Sequence, residues 1–316
     1  MKKSNLYKFI FAILVIGYFL YTSFDSKELQ ASVNIIKEEI VKAEEVEKEE
    51  LDINGDGYEA PGLFKVYYLD VGQADSIFIK TDEKNMLIDA GTNEAGPKIA
   101  EFLKNLNVEK IDYLVATHPH EDHIGGIDDI INTFEVSKFY MPDNYTTTKT
   151  FEDMITALEN KNLKYNVPKI GDEITLGDAD FEVLYLDSKS EDLNDSSIIL
   201  KGEYEKYSFL FMADASSKVE DKLIDSYKEE LQSNVLKVGH HGSNTSSSKK
   251  FLEYVKPEFA IISVGKQNRY NHPGKYTINR LNNLNIETYK TSTDGSILIT
   301  CDSKSISVSK IVTNTN

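Results

Sequence analysis

The stretch ATHPHEDHIGG at residues 116–126 holds three of the chain's six histidines, His118, His120 and His123, with Asp122 among them. Imidazole and carboxylate together suit zinc, and also manganese or iron. On a regular helix an i, i+2 pair points to different sides, and Pro119 disfavours helix at His118. The cluster therefore belongs in a loop where a strand ends, so that several side chains converge on one point. Gly125 and Gly126 then give pliable backbone before the next helix. The other histidines stand far along the chain, as the pair His240–His241 and as His272 in YNHPGK.

The elements that must position these groups are legible as patterns. LFKVYYLDV, DSIFIKT and NMLIDA are short apolar runs separated by turn residues, as in an antiparallel meander. KIDYLVATH reads as a strand that ends at the first histidine. Helix-like spacing follows near residues 124–134, 151–162, 217–231 and 276–284, with EITLGDADFEVLYLD, SSIILKGEY, YSFLFMAD, NVLKVGHH and FAIISVG as strands between. Strand groups that alternate with helices in two halves predict two sheets packed on each other with helices outside.

Eight segments occur in a telling order: YLDVGQADS (68–76), LIDAG (87–91), THPHEDHIGG (117–126), NDSSIIL (194–200), FMAD (211–214), LKVGHHGS (236–243), SVG (263–265) and NRYNHP (268–273). Together they resemble the metallo-hydrolase domain of ComEC competence proteins and its free-standing relatives, a branch of the metallo-β-lactamase fold. The resemblance spans residues 63–300 and lacks the membrane-channel part of ComEC. It implies a four-layered αββα sandwich of class α/β (α+β), over residues 62–316, with two divalent ions, Zn²⁺ or Mn²⁺. His118, His120 and Asp214 would hold one ion; Asp122, His123, Asp214 and His240 would hold the other. His241 is the alternative to its neighbour His240. Asp122, Asp214 and His272 are the catalytic candidates. Asp89 resembles the aspartate that orients metal-binding histidines, and Asp75 would shape the rim. Lys237, Ser243, Asn268 and His272 are the expected substrate contacts. The chain departs from many family members at Asn194 and Asp195, where a further histidine ligand is common; the ComEC branch also has Asn there. Ala213 replaces the usual glycine before Asp214.

Three lysines precede the apolar run Phe9–Phe24, so residues 1–24 read as a signal peptide or membrane anchor, with the later chain outside the cytoplasm. Residues 25–61 read as an acidic spacer, helical over 32–50, and DINGDG (52–57) resembles the opening of a calcium loop without its closing Glu. The net charge is −17, and residues 25–59 carry 12 acids against 4 lysines. Such a balance argues against non-specific grip on nucleic acid, although bound metals reverse the field locally. The lone Cys301 excludes an intrachain disulfide and reads as a core residue.

These features predict an extracytoplasmic metal-dependent hydrolase. The ComEC resemblance implies a phosphodiesterase or nuclease that uses a metal-bridging hydroxide, with single-stranded DNA among its candidate substrates and a role in DNA uptake. A cell-surface phosphorylcholine esterase and a lactonase or β-lactamase-type acyl hydrolase are the rival enzymes. A non-catalytic, metal-stabilised surface module is the rival of another class. No protein partner is indicated.

Overall fold

The computed structural model describes residues 63–311. The expected anchor, acidic spacer and calcium-like turn all lie outside those residues. Among the described residues, no helix is long and apolar enough to cross a membrane.

The first half opens with three strands, β1 (Phe64–Tyr68), β2 (Ile77–Lys80) and β3 (Asn85–Ile88), paired as the expected antiparallel meander. Helix α1 (Gly96–Asn105) then crosses to β4 (Lys110–Val115), which pairs parallel to β3. The short α2 (Glu121–Ile124) and α3 (Ile127–Thr133) lead to β5 (Glu135–Tyr140); α4 (Lys149–Asn160) leads to β6 (Tyr165–Asn166). Here the sequence reading needs one adjustment. His118 and His120 do sit in a loop, but Asp122 and His123 are on the single turn of α2.

The second half repeats the plan. Antiparallel strands β7 (Glu173–Leu176), β8 (Ala179–Tyr185), β9 (Ile199–Tyr204) and β10 (Tyr207–Phe211) come first. Helix α5 (Ser217–Tyr227) connects to β11 (Val235–Lys237), α6 (Lys249–Val255) to β12 (Phe259–Ile262), and α7 (Lys275–Asn283) to β13 (Glu287–Lys290). Strands β10 to β13 run parallel. After the turn α8 (Thr291–Asp294), β14 (Ser296–Cys301) and β15 (Ile306–Ile311) return to the first sheet, where β14 flanks β1. The sheet orders are β15-β14-β1-β2-β3-β4-β5-β6 and β13-β12-β11-β10-β9-β8-β7.

Three buried apolar clusters define the layers. Tyr67, Leu87 and Leu114 of the first sheet pack under Ile99, Ile130 and Met154 of the helices. Phe64, Tyr68, Phe209 and Phe211 fill the space between the sheets, with Cys301 among them as expected. Leu210, Leu236 and Ala260 of the second sheet pack under Val219, Leu223 and Phe251. Central strands such as β1 and β10 thus alternate between two apolar partners, a consequence of the two-residue period. Helices, sheet, sheet and helices follow in that order.

Parallel strands all end at the same edge, and connections leave from there. The segments after β3, β4, β10, β11 and β12 accordingly meet at one rim of the sandwich. Those segments carry Asp89, His118–His123, Asp214, His240–His241 and the 263–274 loop.

Candidate active site

Four ligand-type atoms, one each from Asp122, His123, Asp214 and His241, lie within 4.8 Å of one another. His123 Nε2 is 3.4 Å from Asp214 Oδ1, and His241 Nε2 is 3.3 Å from Asp122 Oδ2 and 3.7 Å from Asp214 Oδ2. His118 Nε2 and His120 Nδ1 make a second pair of donors 3.0 Å apart. All seven candidate ligands, His240 and His241 included, thus meet on one rim, but the adjacent pair exchanges roles. His241, and not the first choice His240, enters the cluster. His240 points to the mouth, where its Nε2 is 3.7 Å from Asp214 Oδ2.

The backbone decides this exchange. His240 and His241 have φ of 50° and 51°, and Gly242 follows at 78°. Two consecutive non-glycine residues in the left-handed region carry strain that surrounding structure must hold in place. Asp89 (φ 58°), Ala213 (φ 43°) and Asn271 (φ 56°) are left-handed too. The family's preference for glycine at the position of Ala213 has its physical reason here.

Hydrogen bonds fix which nitrogen of each ring faces inward. Asp89 Oδ1 accepts from Thr117 N at 2.8 Å; its Oδ2 accepts from Thr117 Oγ1 and from His123 Nδ1, both at 2.7 Å. Because Thr117 spends its proton on Asp89 and Ser197 spends its own on Asn194 O, both hydroxyl oxygens are left to accept from His118 Nδ1, at 3.2 and 3.3 Å. One aspartate therefore orients two histidines, as ligating histidines require. Thr117, which the sequence reading passed over, is its intermediary. For His241, Nδ1 donates to Ser263 O at 3.0 Å, with Asp75 Oδ1 3.3 Å away. His118, His123 and His241 thus present Nε2 to the site, whereas His120 presents Nδ1.

Electrostatics follow from burying so many carboxylates together. Burial favours the neutral imidazole of His241, but Asp214 and Asp75 outweigh it and lift its pKa to about 10. Burial likewise resists ionisation of Asp122, yet the His241 hydrogen bond and His123 bring its carboxyl down to about 2. Asp214 is held well below the carboxylate range by His241 and His123 against its own burial. Asp122 and Asp214 therefore stay ionised although buried, and a metal ion bound there would take the place of the protons on His123 and His241. His123 Nε2, His241 Nε2, Asp214 Oδ1 and Asn194 Oδ1 are buried with no hydrogen-bond partner. Unpaired polar atoms of this kind are costly unless something binds them. The set fits divalent metal ions.

A pocket of about 620 Å³ opens above, lined by Gln73, Asn194, His240, Asn268, Tyr270 and His272 along with Asp122, Asp214 and His241 of the cluster. Burial, then His240 and His241, bring the His272 imidazole down to about 4, so it is neutral near pH 7.

Three sequence expectations are corrected. Lys237 is fully buried, with Nζ 2.6 Å from Asp75 Oδ2 and 3.1 Å from Val238 O, and it does not line the pocket. Asp75 is buried beneath His241 and is not a rim residue. Ser243 is buried, and its hydroxyl is taken by Thr245 Oγ1 at 2.9 Å. Asn268 does line the pocket, but its amide holds the loop, donating to Gly265 O and His272 O and accepting from His272 N.

A mixed α/β sandwich with this donor set defines the class, and comparison with known proteins agrees. The chain belongs to the metallo-β-lactamase superfamily, whose family model matches residues 69–266. It is 28% identical to ComE operon protein 3 of Bacillus subtilis (strain 168), over 74% of this chain and 32% of that protein. Identity to competence protein ComA of Neisseria gonorrhoeae is 31%, over 72% of this chain and 31% of the relative. Exodeoxyribonuclease WalJ of Streptococcus pneumoniae serotype 2 (strain D39 / NCTC 7466) is 30% identical, over 38% of this chain and 44% of its own. The chain thus spans about a third of the length of the competence proteins it matches.

Proposed function

We propose that this chain is an extracytoplasmic metal-dependent phosphodiesterase of ComEC-like type, with a DNA strand as its substrate. The observation that carries the reading is Asp214, whose two oxygens face both sides of the donor set: Oδ1 towards His123 and Oδ2 towards His241 and His240. A carboxylate so placed can be shared between two cations. His118, His120 and Asp214 would hold one, with Asn194 lining the same pocket; Asp122, His123, Asp214 and His241 would hold the other. Two divalent ions held there would supply an activated water and neutralise charge on the phosphoryl oxygens. Asp89 and Thr117 keep the imidazoles aligned. His272, neutral at the mouth, is placed to hydrogen-bond a phosphoryl or leaving oxygen. The exodeoxyribonuclease among the relatives supports a nucleic-acid diester over an acyl substrate. The extracytoplasmic location rests on the lysine-first, acid-after order at the N-terminus.

The test is a substrate panel on metal-loaded protein: bis-p-nitrophenyl phosphate, single-stranded oligodeoxynucleotides, p-nitrophenyl phosphorylcholine, nitrocefin and a lactone. Diester and oligonucleotide cleavage is expected. Turnover confined to phosphorylcholine, nitrocefin or the lactone would overturn the reading.

A further inference from the structure

We infer that Tyr270, set between Arg269 and His272 at the pocket mouth, is a stacking subsite for a nucleobase of the strand whose phosphodiester lies over the cluster. The inference rests on the phosphodiesterase reading above and adds how the strand is held.

Tyr270 is half exposed. Its ring lies 5.7 Å from that of His272 at an interplanar angle of 26°, a stacked arrangement. The Arg269 guanidinium sits 4.9 Å from the Tyr270 centroid and donates to its hydroxyl at 2.6 Å. These contacts stiffen a large planar side chain that nonetheless stays in water, which core packing does not require. Rings then lead inward: His272 lies 5.5 Å from His240, and His240 lies 6.2 Å from His241 of the cluster. Tyr270 and the cluster residues Asp122, Asp214 and His241 thus line one pocket, which a strand can follow from base to phosphate.

Charge favours the same ligand. Residues 259–286 contain Lys266, Arg269, Lys275 and Arg280 and no acid, within a chain of net charge −17. Lys266 and Arg269 stand on the loop that borders the pocket. A polyanionic strand is attracted to such a run. The guanidinium over the ring also discriminates between substrates. Quaternary ammonium groups are recognised by open aromatic faces, and Arg269 would repel one from this ring. A neutral, planar base suffers no such repulsion and stacks on tyrosine or on the guanidinium plane.

The experiment compares oligothymidylate with an abasic oligomer of equal length, using the full chain loaded with Mn²⁺. Cleavage gives KM and kcat; anisotropy with fluorescently labelled phosphorothioate versions gives binding without cleavage. Wild type should bind the base-bearing strand about tenfold more tightly than the abasic one. Tyr270→Ala should remove that difference, mainly in KM, while Tyr270→Phe should keep most of it. Equal binding of both oligomers by wild type, or a preference unchanged in Tyr270→Ala, would overturn the subsite. Absence of cleavage with the base preference intact would instead overturn the phosphodiesterase reading and leave the stacking subsite standing.

Discussion

Lys237 and Asp75 form an ion pair of 2.6 Å that is wholly shut off from water, 162 residues apart in sequence. The other oxygen of Asp75 faces His241 Nδ1 at 3.3 Å. The pair therefore stands directly behind an imidazole of the candidate metal centre. Burial pushes the Asp75 carboxyl up, but Lys237 and His241 outweigh it and hold it well below the ordinary range.

Removing one partner of such a pair leaves an uncompensated buried charge. Lys237→Met should cost about 3–5 kcal/mol of stability, and the double variant Lys237→Met/Asp75→Asn should recover part of that loss. The sign with pH follows from the lowered carboxyl. Its contribution is complete above the unfolded-state value near 4 and fades as pH falls towards the lower folded value. Urea denaturation of the metal-free protein across pH 3–7 checks both points. An unaltered acid limb in Asp75→Asn would remove this pair from the account of acid lability.

His241 and His240 are adjacent, yet their variants should behave oppositely. His241→Ala should lose one metal ion per chain and most activity, since it deletes a cluster donor. His240→Ala should keep its metal and weaken substrate handling at the mouth. Metal content by mass spectrometry, measured beside activity, decides between them. Metal loss from His240→Ala alone would restore the assignment made from sequence.

Asp214→Ala should remove the carboxylate common to both donor sets. A fall of two to four decades in turnover, about 3–5 kcal/mol in barrier, is expected. His272→Ala should lower turnover with the metals still in place, because no cluster atom depends on it. Activity of Asp214→Ala within threefold of wild type, at unchanged metal content, would refute the shared role.

The parts of this site that the sequence disclosed are those whose members are close in the chain. His118, His120, Asp122 and His123 lie within six positions, and Pro119 announces the loop that lets them converge. Lys237 was misread because charged side chains are usually exposed, and β11 is three residues long and buried throughout, so no alternation marks its direction. Two neighbouring histidines cannot be ranked by type; left-handed φ values set by tertiary packing rank them. Thr117 escaped notice since its role depends on Asp89, 28 residues earlier. The two-sheet architecture was legible because strand alternation and helix spacing repeat in both halves.

Location gives an independent prediction. Lysines before the apolar segment and acids after it favour a body outside the cytoplasmic membrane. Protease added to wall-stripped, intact cells should digest residues 63–311. Survival until the membrane is lysed would reverse the topology.

Asn194 takes the place where many relatives carry a histidine, and its Oδ1 is buried without a hydrogen-bond partner beside the pocket. Asp195, the nearest alternative donor, is already engaged: its Oδ1 accepts from Ser216 N at 3.0 Å. An ion held by His118 and His120 would then have two imidazoles and a shared carboxylate, with the Asn194 amide lining the same pocket. An amide oxygen is a harder and weaker donor than imidazole, which tilts the set from zinc towards manganese. One metal should therefore leave readily under a mild chelator, and Mn²⁺ should restore diesterase activity at least as well as Zn²⁺. Asn194→His should raise zinc occupancy towards two per chain. Metal content after dialysis, with activity for each ion, measures all three effects. Two zinc ions that resist the chelator in the wild type, with no response to manganese, would show that the amide does not weaken the site.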